Sequence, residues 1–558
     1  MENQNGKKLD WRKLDWKKLG KDVWRVLPWL WLLTGYVILV WYQLVPGRWL
    51  VDGDISSQMV LAKLLNEEKS ILTHNWFYST ELHVFHYQWF FRLALLIFPN
   101  NWHLARTLTI ALIMLVFVLA YLYMSYSLGF PRMGVWTAGA MLWPFGRLYF
   151  YEVGFTGCYA IYIIYACFAI GLVSSLAWKK HKRWKKLLLA GLLAFSSVAS
   201  GLNGVRQTMM TFVPLFVGMA LVFWLEVRRK KVRSVRECMA QCRETIRLSG
   251  WVIFATCFNI AGYLFNYKVL SQKYDFVFYN FVQFDKIFTI DSLLAVWSDL
   301  LSLFGYQDKV YLYTLGGIAS LCGIAFAAVV VFSLVRLCMR YRTLNLQQKL
   351  ILMTAIAGLL VCGSIFAFSS VYFQGYHSNY WIPLVPVILA MVQIELDTES
   401  FDWAVLRQWV YGVFAGVVTL AAVGAILYEY NAPLNGEHNI EEAVNAILES
   451  GYTQGFASHW SASTITELTD GKVEMISVNV NNLEVREWLQ KREYLDTVPE
   501  GPVFILIDRF HDTDIESNPF ALSGKGDIFL DSVCYWAVGY ESMEEVYQIL
   551  EDAGVSDM

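Results

Sequence analysis

Two aspartates stand close together just after a long apolar segment, in the sequence Val51-Asp-Gly-Asp-Ile-Ser-Ser57. A carboxylate there could accept a proton from a hydroxyl group and so act as a general base. The pattern also has a purely structural interpretation, because Asp-Gly favours a turn and an aspartate directly before a helical stretch is a common N-cap. Asp52 and Asp54 are therefore candidates for helix initiation, for proton transfer, or for both.

Other ionisable residues lie near the ends of apolar segments, where they need partners or water. Three of them are arginines, which suit an anion because a guanidinium can bind two phosphate oxygens at once. Arg106 and Arg206 could equally reach toward lipid headgroups, and Glu81, His83 and His86 could belong to an ordinary solvated loop. The set that we place on one side of the protein is Asp52, Asp54, Glu81, His83, His86, Arg106, Arg147, Glu152, Arg206 and His377.

The composition is that of a membrane protein with one soluble part. Of 558 residues, 56% are hydrophobic and only 16% are charged, and the mean hydropathy is +0.40. From Tyr430 onward, 6 Lys and Arg face 24 Asp and Glu, a balance of −18, whereas the rest of the chain carries +16. Cysteine spacing indicates neither a disulfide framework nor a zinc site. The charge asymmetry predicts a basic membrane body and an acidic soluble domain, with no nucleic-acid partner.

Apolar periodicity predicts about eleven transmembrane helices and a multi-pass protein of the plasma membrane. The segments are 26–45, 103–127, 133–148, 157–177, 187–200, 206–226, 249–267, 311–335, 350–371, 379–395 and 409–428. Basic loops at 179–186, 228–243 and 336–342 alternate with loops poor in Lys and Arg. The positive-inside rule then places the basic N-terminal segment, 1–25, in the cytoplasm and the acidic domain outside the cell.

Three regions should lie on the outer side. Two are long loops, 47–102 and 268–310, whose amphipathic stretches predict helices that lie in the membrane interface on the outer side. The third is the domain 430–558, whose helix and strand signals alternate and predict a small α/β fold. In that domain we predict helices at 440–451, 481–495 and 542–554, and strands at 473–480, 503–508 and 528–540. It has no phosphate loop and no nucleophile motif, so its sequence does not identify a ligand.

The membrane body, 26–429, resembles the GT-C class of membrane glycosyltransferases, which includes protein O-mannosyltransferases and lipid A aminoarabinose transferases. The resemblance rests on "VDGDISSQMVLAKLL", "FYSTELHVFHYQWFFRLALLIFP" and "WHLARTL", with further support from "GRLYFYEVGFTG". It implies that Asp54 is the key acid, with Asp52 as its neighbour and Glu152 as a second acid. It also implies that Arg106 is a basic residue that binds the lipid phosphate. Gly53 separates the two aspartates where the class often has adjacent acids, so the choice between them stays open.

The implied activity is inverting transfer of a sugar from a polyprenyl-phosphate carrier to an extracytoplasmic glycan, lipid or protein. Asp54 is predicted as the base, with Asp52 and Glu152 beside it. The predicted substrate-binding residues are Arg106, Arg147, Arg206, Glu81, His83 and His377. The pattern requires no cofactor, although Asp52, Glu152 or the histidines would suit a divalent metal ion. Two alternatives remain, a transporter or flippase of lipid-linked saccharides and a non-catalytic assembly protein of the cell envelope.

Overall fold

The protein combines a helical membrane body with a C-terminal α/β domain. The computed structural model describes residues 16–79, 81–144, 146–276, 290–307, 310–369, 378–397, 404–434, 439–512 and 515–555. The helices of the body are α1 (Trp16–Leu44), α2 (Gly53–Glu67), α3 (Gln88–Ile97), α4 (Trp102–Leu128), α5 (Pro131–Leu142), α6 (Arg147–Tyr149), α7 (Cys158–Trp178), α8 (Arg183–Gly201), α9 (Val205–Gln207), α10 (Val213–Arg229), α11 (Val235–Gln241), α12 (Arg243–Phe265), α13 (Ile290–Leu303), α14 (Leu315–Met339), α15 (Leu346–Phe368), α16 (Val385–Asp397) and α17 (Ala404–Leu434).

Eight helical stretches within the described residues are long and apolar enough to cross a bilayer, which confirms a multi-pass membrane protein. They are Val23–Leu44, Trp102–Leu128, Cys158–Trp178, Val205–Arg229, Arg243–Leu270, Gly316–Met339, Leu346–Phe368 and Asn379–Asp397. Of the other predicted segments, 133–148 corresponds to α5, whose 12 residues are fewer than the roughly 20 that a straight span needs. The count of eleven and the orientation of the termini stay predictions.

The first outer loop, 47–102, is folded against the body and the α/β domain. Its helix α2 is buried along much of its length, and Met59 and Ala62 are fully inaccessible. The burial arises because α3 packs on one side of α2 and a helix of the C-terminal domain, described next, packs on another. The predicted interfacial helix α2 is therefore a core element of the domain junction.

The C-terminal domain is a three-layer α/β fold. Its sheet has the order β2-β1-β3-β5-β4, in which β1 pairs in parallel with β2 and β3. The core on one face lies under α18 and α19, and the core on the other lies under α20 and α21. The elements are α18 (Ile440–Ser450), β1 (Gln454–Ala457), α19 (His459–Leu468), β2 (Glu474–Ser477), β3 (Val503–Asp508), α20 (Pro519–Ser523), β4 (Asp527–Asp531), β5 (Tyr535–Tyr540) and α21 (Met543–Asp552).

The sequence-based interpretation of this domain is wrong in one segment and incomplete in another. The predicted helix at 481–495 is instead a loop with a short 3₁₀ turn at Arg492–Leu495. It cannot be helical because Leu483 and Leu489 have positive φ angles, and because the Leu489 amide donates to the Phe77 carbonyl. The loop thus pairs with the first outer loop. Strand β1 and helix α19 were not predicted, and the segment 528–540, predicted as one strand, is the antiparallel pair β4 and β5.

Candidate functional site

Asp52 begins α2 and faces the membrane body. Its Oδ1 accepts a hydrogen bond of 3.0 Å from the Ile55 amide, so the residue is the N-cap of the helix. Its Oδ2 accepts a hydrogen bond from the Tyr151 hydroxyl. Burial raises the pKa of Asp52 above its ordinary value, although the bonds from Tyr151 and Ile55 act in the opposite direction. The two hydrogen bonds therefore fix the orientation of the Asp52 carboxylate.

Asp54 turns toward the α/β domain instead. Its Oδ1 lies 2.8 Å from Nε2 of His459, and its side chain is 54% exposed whereas that of His459 is 3% exposed. Gly53 between the two aspartates is explained by the same contact. A Cβ atom at residue 53 would lie only 2.1 Å from the carbonyl oxygen of His459. The domain junction therefore needs glycine here, and it separates the two acids onto different sides.

Glu152 lies near Asp52 on a π-helical turn, Phe150–Phe155, that follows α6. The Glu152 Oε1 accepts a hydrogen bond of 2.5 Å from Nδ2 of Asn379. Burial raises the pKa of Glu152 to about 7, with Asp52 and Asp54 adding to the rise and Arg206 and Asn379 opposing it. Glu152 thus titrates near neutral pH and interacts electrostatically with both aspartates.

Arg206 supplies the positive charge of this group. It lies on α9, and the residue before that helix is Gly204. The φ of +99° at Gly204 lets the chain pass against the Glu81 carboxyl group. Arg206 Nη1 donates to the Tyr159 hydroxyl at 2.6 Å, and the guanidinium lies 4.9 Å from the centre of the Tyr380 ring. Among the described residues, its buried Nε has no hydrogen-bond partner. The Nε–H group of Arg206 is therefore available to donate a hydrogen bond to a ligand.

Glu81 connects Arg206 to two histidines. Burial raises the pKa of Glu81, but Arg206 and His83 outweigh that effect and lower the pKa below its ordinary value. Oε2 of Glu81 lies 3.6 Å from Nε2 of His83, and the His83 ring stacks on His86 with centroids 4.4 Å apart. Burial lowers the pKa of His86 well below its ordinary value, so His86 is neutral at physiological pH.

An apolar groove of about 510 Å³ begins at His86 and runs between α3, α4, α7 and α8. Its walls are almost entirely hydrocarbon and aromatic, formed by residues such as Phe85, Trp89, Phe90, Tyr123, Ile164 and Phe168. The groove thus places an apolar channel beside the charged group of Glu81 and Arg206. An amphiphile with an anionic head and a long apolar tail matches this arrangement.

Arg106, for which phosphate binding stays a prediction, lies at the contact between α4 and the C-terminal domain. Its guanidinium forms a buried ion pair with Glu467 of α19, and both side chains are 3% exposed. The pair fixes the C-terminal domain to α4. Arg106 thus contributes to the domain junction. Its charge also lowers the pKa of Asp52, but less than the hydrogen bonds from Tyr151 and Ile55 do.

Of the remaining predicted residues, Arg147 is exposed at the start of α6, and His377 lies outside the described residues. Within the part of the chain that the structure describes, no group of three His, Cys, Asp or Glu side chains is arranged to hold a metal ion. A divalent metal stays a prediction.

Sequence reasoning missed several residues that complete the site. Tyr151 and Asn379 bind the two acids Asp52 and Glu152, and Tyr159 binds Arg206. Tyr151 could have been suspected, because it directly precedes Glu152 in a polar break between apolar segments. His459 and Glu467 gave no signal, since they belong to a domain that the sequence suggests is separate.

The titration of Glu152 predicts a measurable pH dependence of stability. Since folding raises its pKa from 4.5 to about 7, the protonated form is favoured in the folded state. The resulting stability is complete below about pH 4.5 and is lost as the pH rises through about 7. We expect the unfolding temperature of the purified protein to fall between about pH 5 and about pH 8, and Glu152→Gln to flatten this fall. The exposed Glu500→Gln is the control, and an unaltered pH profile in Glu152→Gln would contradict the assignment.

Taken together, these features define a multi-pass membrane protein in which a soluble α/β domain is docked on the acid-bearing loop 47–102. Asp52, Glu152, Glu81 and Arg206 form its polar centre, and the apolar groove adjoins that centre.

Comparison with solved structures confirms the fold. The chain is similar to ArnT from Cupriavidus metallidurans bound to undecaprenyl phosphate, with a TM-score of 0.56, 11% identity, and coverage of 91% of this chain and 97% of ArnT. The apo state of ArnT gives a TM-score of 0.51 at 11% identity, covering 91% and 98%. A structure of the Archaeoglobus fulgidus oligosaccharyltransferase tethered with an acceptor peptide gives 0.43 at 12% identity, covering 82% and 66%. No protein-family model and no curated protein matches the sequence.

Proposed function

We propose that this protein is a membrane glycosyltransferase that transfers a sugar from a polyprenyl-phosphate-linked donor to an acceptor outside the cytoplasm. The observation that carries the proposal is the convergence of Asp52, Glu152 and Arg206 next to an apolar groove. The fold adds support, since a similarly folded protein, ArnT, binds undecaprenyl phosphate. The acceptor would be a glycan, lipid or protein of the cell envelope.

The donor would lie with its tail in the groove and its phosphate at Arg206. The tail would pack against Phe90, Ile164 and Phe168, and this packing would mainly position the donor, because the tail passes from bilayer hydrocarbon and not from water. His86 ends the groove and, through His83, adjoins Glu81 and Arg206. The free Nε donor of Arg206 would then bind a phosphate oxygen.

Asp52 is our proposed general base, in place of Asp54. It would take the proton of the acceptor hydroxyl while the hydroxyl oxygen attacks the anomeric carbon. The bond from the anomeric carbon to the phosphate oxygen breaks, and the phosphate leaves with the electron pair. Arg206 would stabilise the charge that develops on it. Direct displacement inverts the anomeric configuration, and Asp52 later releases its proton to water.

Purified protein in lipid nanodiscs provides the direct test. Synthetic polyprenyl-phosphate sugars would be mixed with envelope extracts as acceptors, and mass spectrometry would follow the donor and the released polyprenyl phosphate. We expect loss of the sugar from the donor and its appearance on an extracted acceptor. A flippase would leave the donor intact but move it across a vesicle membrane, and a non-catalytic assembly protein would do neither. Comparison of envelope glycans with and without the gene would then identify the acceptor.

Arg206→Lys is expected to weaken donor binding. Lysine keeps the charge but loses the planar fork and the contact with the Tyr380 ring, so we expect the KM for the donor to rise about tenfold or more. Steady-state transfer kinetics measure this change. Arg48→Lys is the control, because Arg48 is an exposed arginine of the first outer loop and also contacts an aromatic ring, that of Trp49. An unchanged donor KM in Arg206→Lys would remove Arg206 from the phosphate site.

A further inference from the structure

A second cavity lies in the α/β domain, apart from the membrane body. Its volume is about 680 Å³, and it opens where the three parallel strands end. Ser458 follows β1 and Trp460 lies in the first turn of α19; the loop after β2 contributes Asn479 and Asn481, and the loop after β3 contributes His511 and Asp512. We infer that this strand-end cleft binds a saccharide portion of the acceptor, an inference that rests on the proposed function.

The position of the cleft follows from the topology of the sheet. Strand β1 lies between β2 and β3, and all three run in parallel. The chain leaves β1 toward β2 on one side and later returns to β3 on the other side. The loops at the carboxyl ends of β1 and β3 therefore diverge and leave a crevice. Open α/β sheets bind their ligands in crevices of this kind.

The lining of the cleft selects the chemistry of the ligand. The lining includes three acids, Glu484, Glu487 and Asp512, and one arginine, Arg486, so the cleft is net acidic and disfavours phosphate or carboxylate groups. Trp460, with 40% of its surface exposed, offers an aromatic face that can stack on a sugar ring.

Amide and carboxylate groups beside Trp460 can donate to and accept from hydroxyl groups. A neutral or amino-substituted saccharide fits this combination, whereas a phosphorylated ligand does not.

The floor of the cleft is held in place before any ligand arrives. The side chain of the fully buried Asn518 donates to the Val480 carbonyl at 3.0 Å and to Asn481 Oδ1 at 3.1 Å. The backbone N–H of Asn481 in turn donates to Asn479 Oδ1 at 3.1 Å. Because these residues are already ordered, a ligand loses little free energy in arranging them.

A row of aromatic rings runs from the cleft to the start of α2. Trp460 lies 6.2 Å from His511 on one side and 5.3 Å from His459 on the other, measured between ring centroids. His459 contacts Asp54, two residues from the proposed base. A glycan held in the cleft would therefore lie beside the start of α2, on the side that Asp54 faces.

Equilibrium binding to the full-length protein in nanodiscs tests the inference. The probes are soluble oligosaccharides of neutral hexoses, of N-acetylhexosamines and of amino sugars, with inorganic pyrophosphate and a mixed peptide library as contrasting probes. We expect saturable binding of at least one saccharide class, measured by calorimetry and by tryptophan fluorescence. Trp460→Ala should weaken it about tenfold or more, and Trp460→Phe should retain most of it.

Two further variants separate a binding role from a folding role. Asp512→Asn keeps the shape of the cleft and should also weaken binding, whereas Asp496→Asn, exposed and outside the cleft, should not. The inference is overturned if none of the three saccharide classes binds. It is also overturned if Trp460→Ala and Asp512→Asn bind saccharides as tightly as the wild type does. Binding of a peptide, with no binding of saccharides, would overturn it as well.

The proposed function can fail separately from this inference. Asp52→Asn should lose sugar transfer yet bind the saccharide normally, since Asp52 lies outside the cleft. A wild-type protein that binds a saccharide but transfers no sugar would refute the transferase proposal alone. Normal transfer by Trp460→Ala, with an unchanged KM for the acceptor, would refute saccharide binding in the cleft and leave the transferase proposal intact.

Discussion

Asp52→Asn is expected to lower the rate of sugar transfer by roughly 10³-fold, within the range that general-base catalysis contributes. Asparagine occupies the same volume and is an equally good N-cap, so α2 should still begin at Gly53. What the variant loses is the ability to take a proton from the acceptor hydroxyl. Single-turnover transfer from a polyprenyl-phosphate sugar measures the chemical step, and an unchanged unfolding temperature shows that the fold is retained.

Asp54→Asn is the matched control, because it changes the neighbouring acid of the same helix. Asp54 is 54% exposed and contacts His459, and a polar contact exposed to this degree contributes about 1 kcal/mol or less. We therefore expect less than about a fivefold change in transfer. The reverse result, with Asp54→Asn inactive and Asp52→Asn active, would restore the assignment that the family resemblance implies.

Glu467→Ala is expected to destabilise the junction between the two domains by about 3–5 kcal/mol. The ion pair of Glu467 with Arg106 is buried on both sides, and removing the carboxylate leaves a buried guanidinium without its charge partner. The unfolding temperature should fall, and the α/β domain should become sensitive to limited proteolysis. Asp275→Asn, which removes an exposed ion pair with Arg492 at the same junction, should cost about 1 kcal/mol or less.

The double variant Arg106→Leu/Glu467→Leu then separates a structural from a substrate-binding role for Arg106. Replacing a buried ion pair by apolar side chains of similar volume is often close to neutral in stability. We expect the double variant to recover much of the lost stability and to keep its affinity for the donor. Recovery of stability with a donor KM raised about tenfold would instead identify Arg106 as a phosphate ligand, as the resemblance implies.

Local patterns were sufficient for the architecture. Long apolar segments predicted the membrane helices, and the alternation of signals after Tyr430 predicted the α/β domain, because both depend on periodicity within one segment. The loop at 481–495 was misread as a helix for a related reason. Its apolar residues have helical spacing, but Leu489 bonds to Phe77 of the first outer loop, a contact that spacing cannot reveal.

The sequence by itself determined that this is a multi-pass protein with acids after its first span, a helical membrane body and an acidic soluble domain. Only the tertiary structure decided which acid faces which partner. Gly53 looked like a departure from an acid pair, but the carbonyl of His459 lies where a side chain would stand. That close approach directs Asp54 to the soluble domain and leaves Asp52 with Tyr151. The physical reason is that orientation depends on packing between residues about 400 positions apart, which no local pattern encodes.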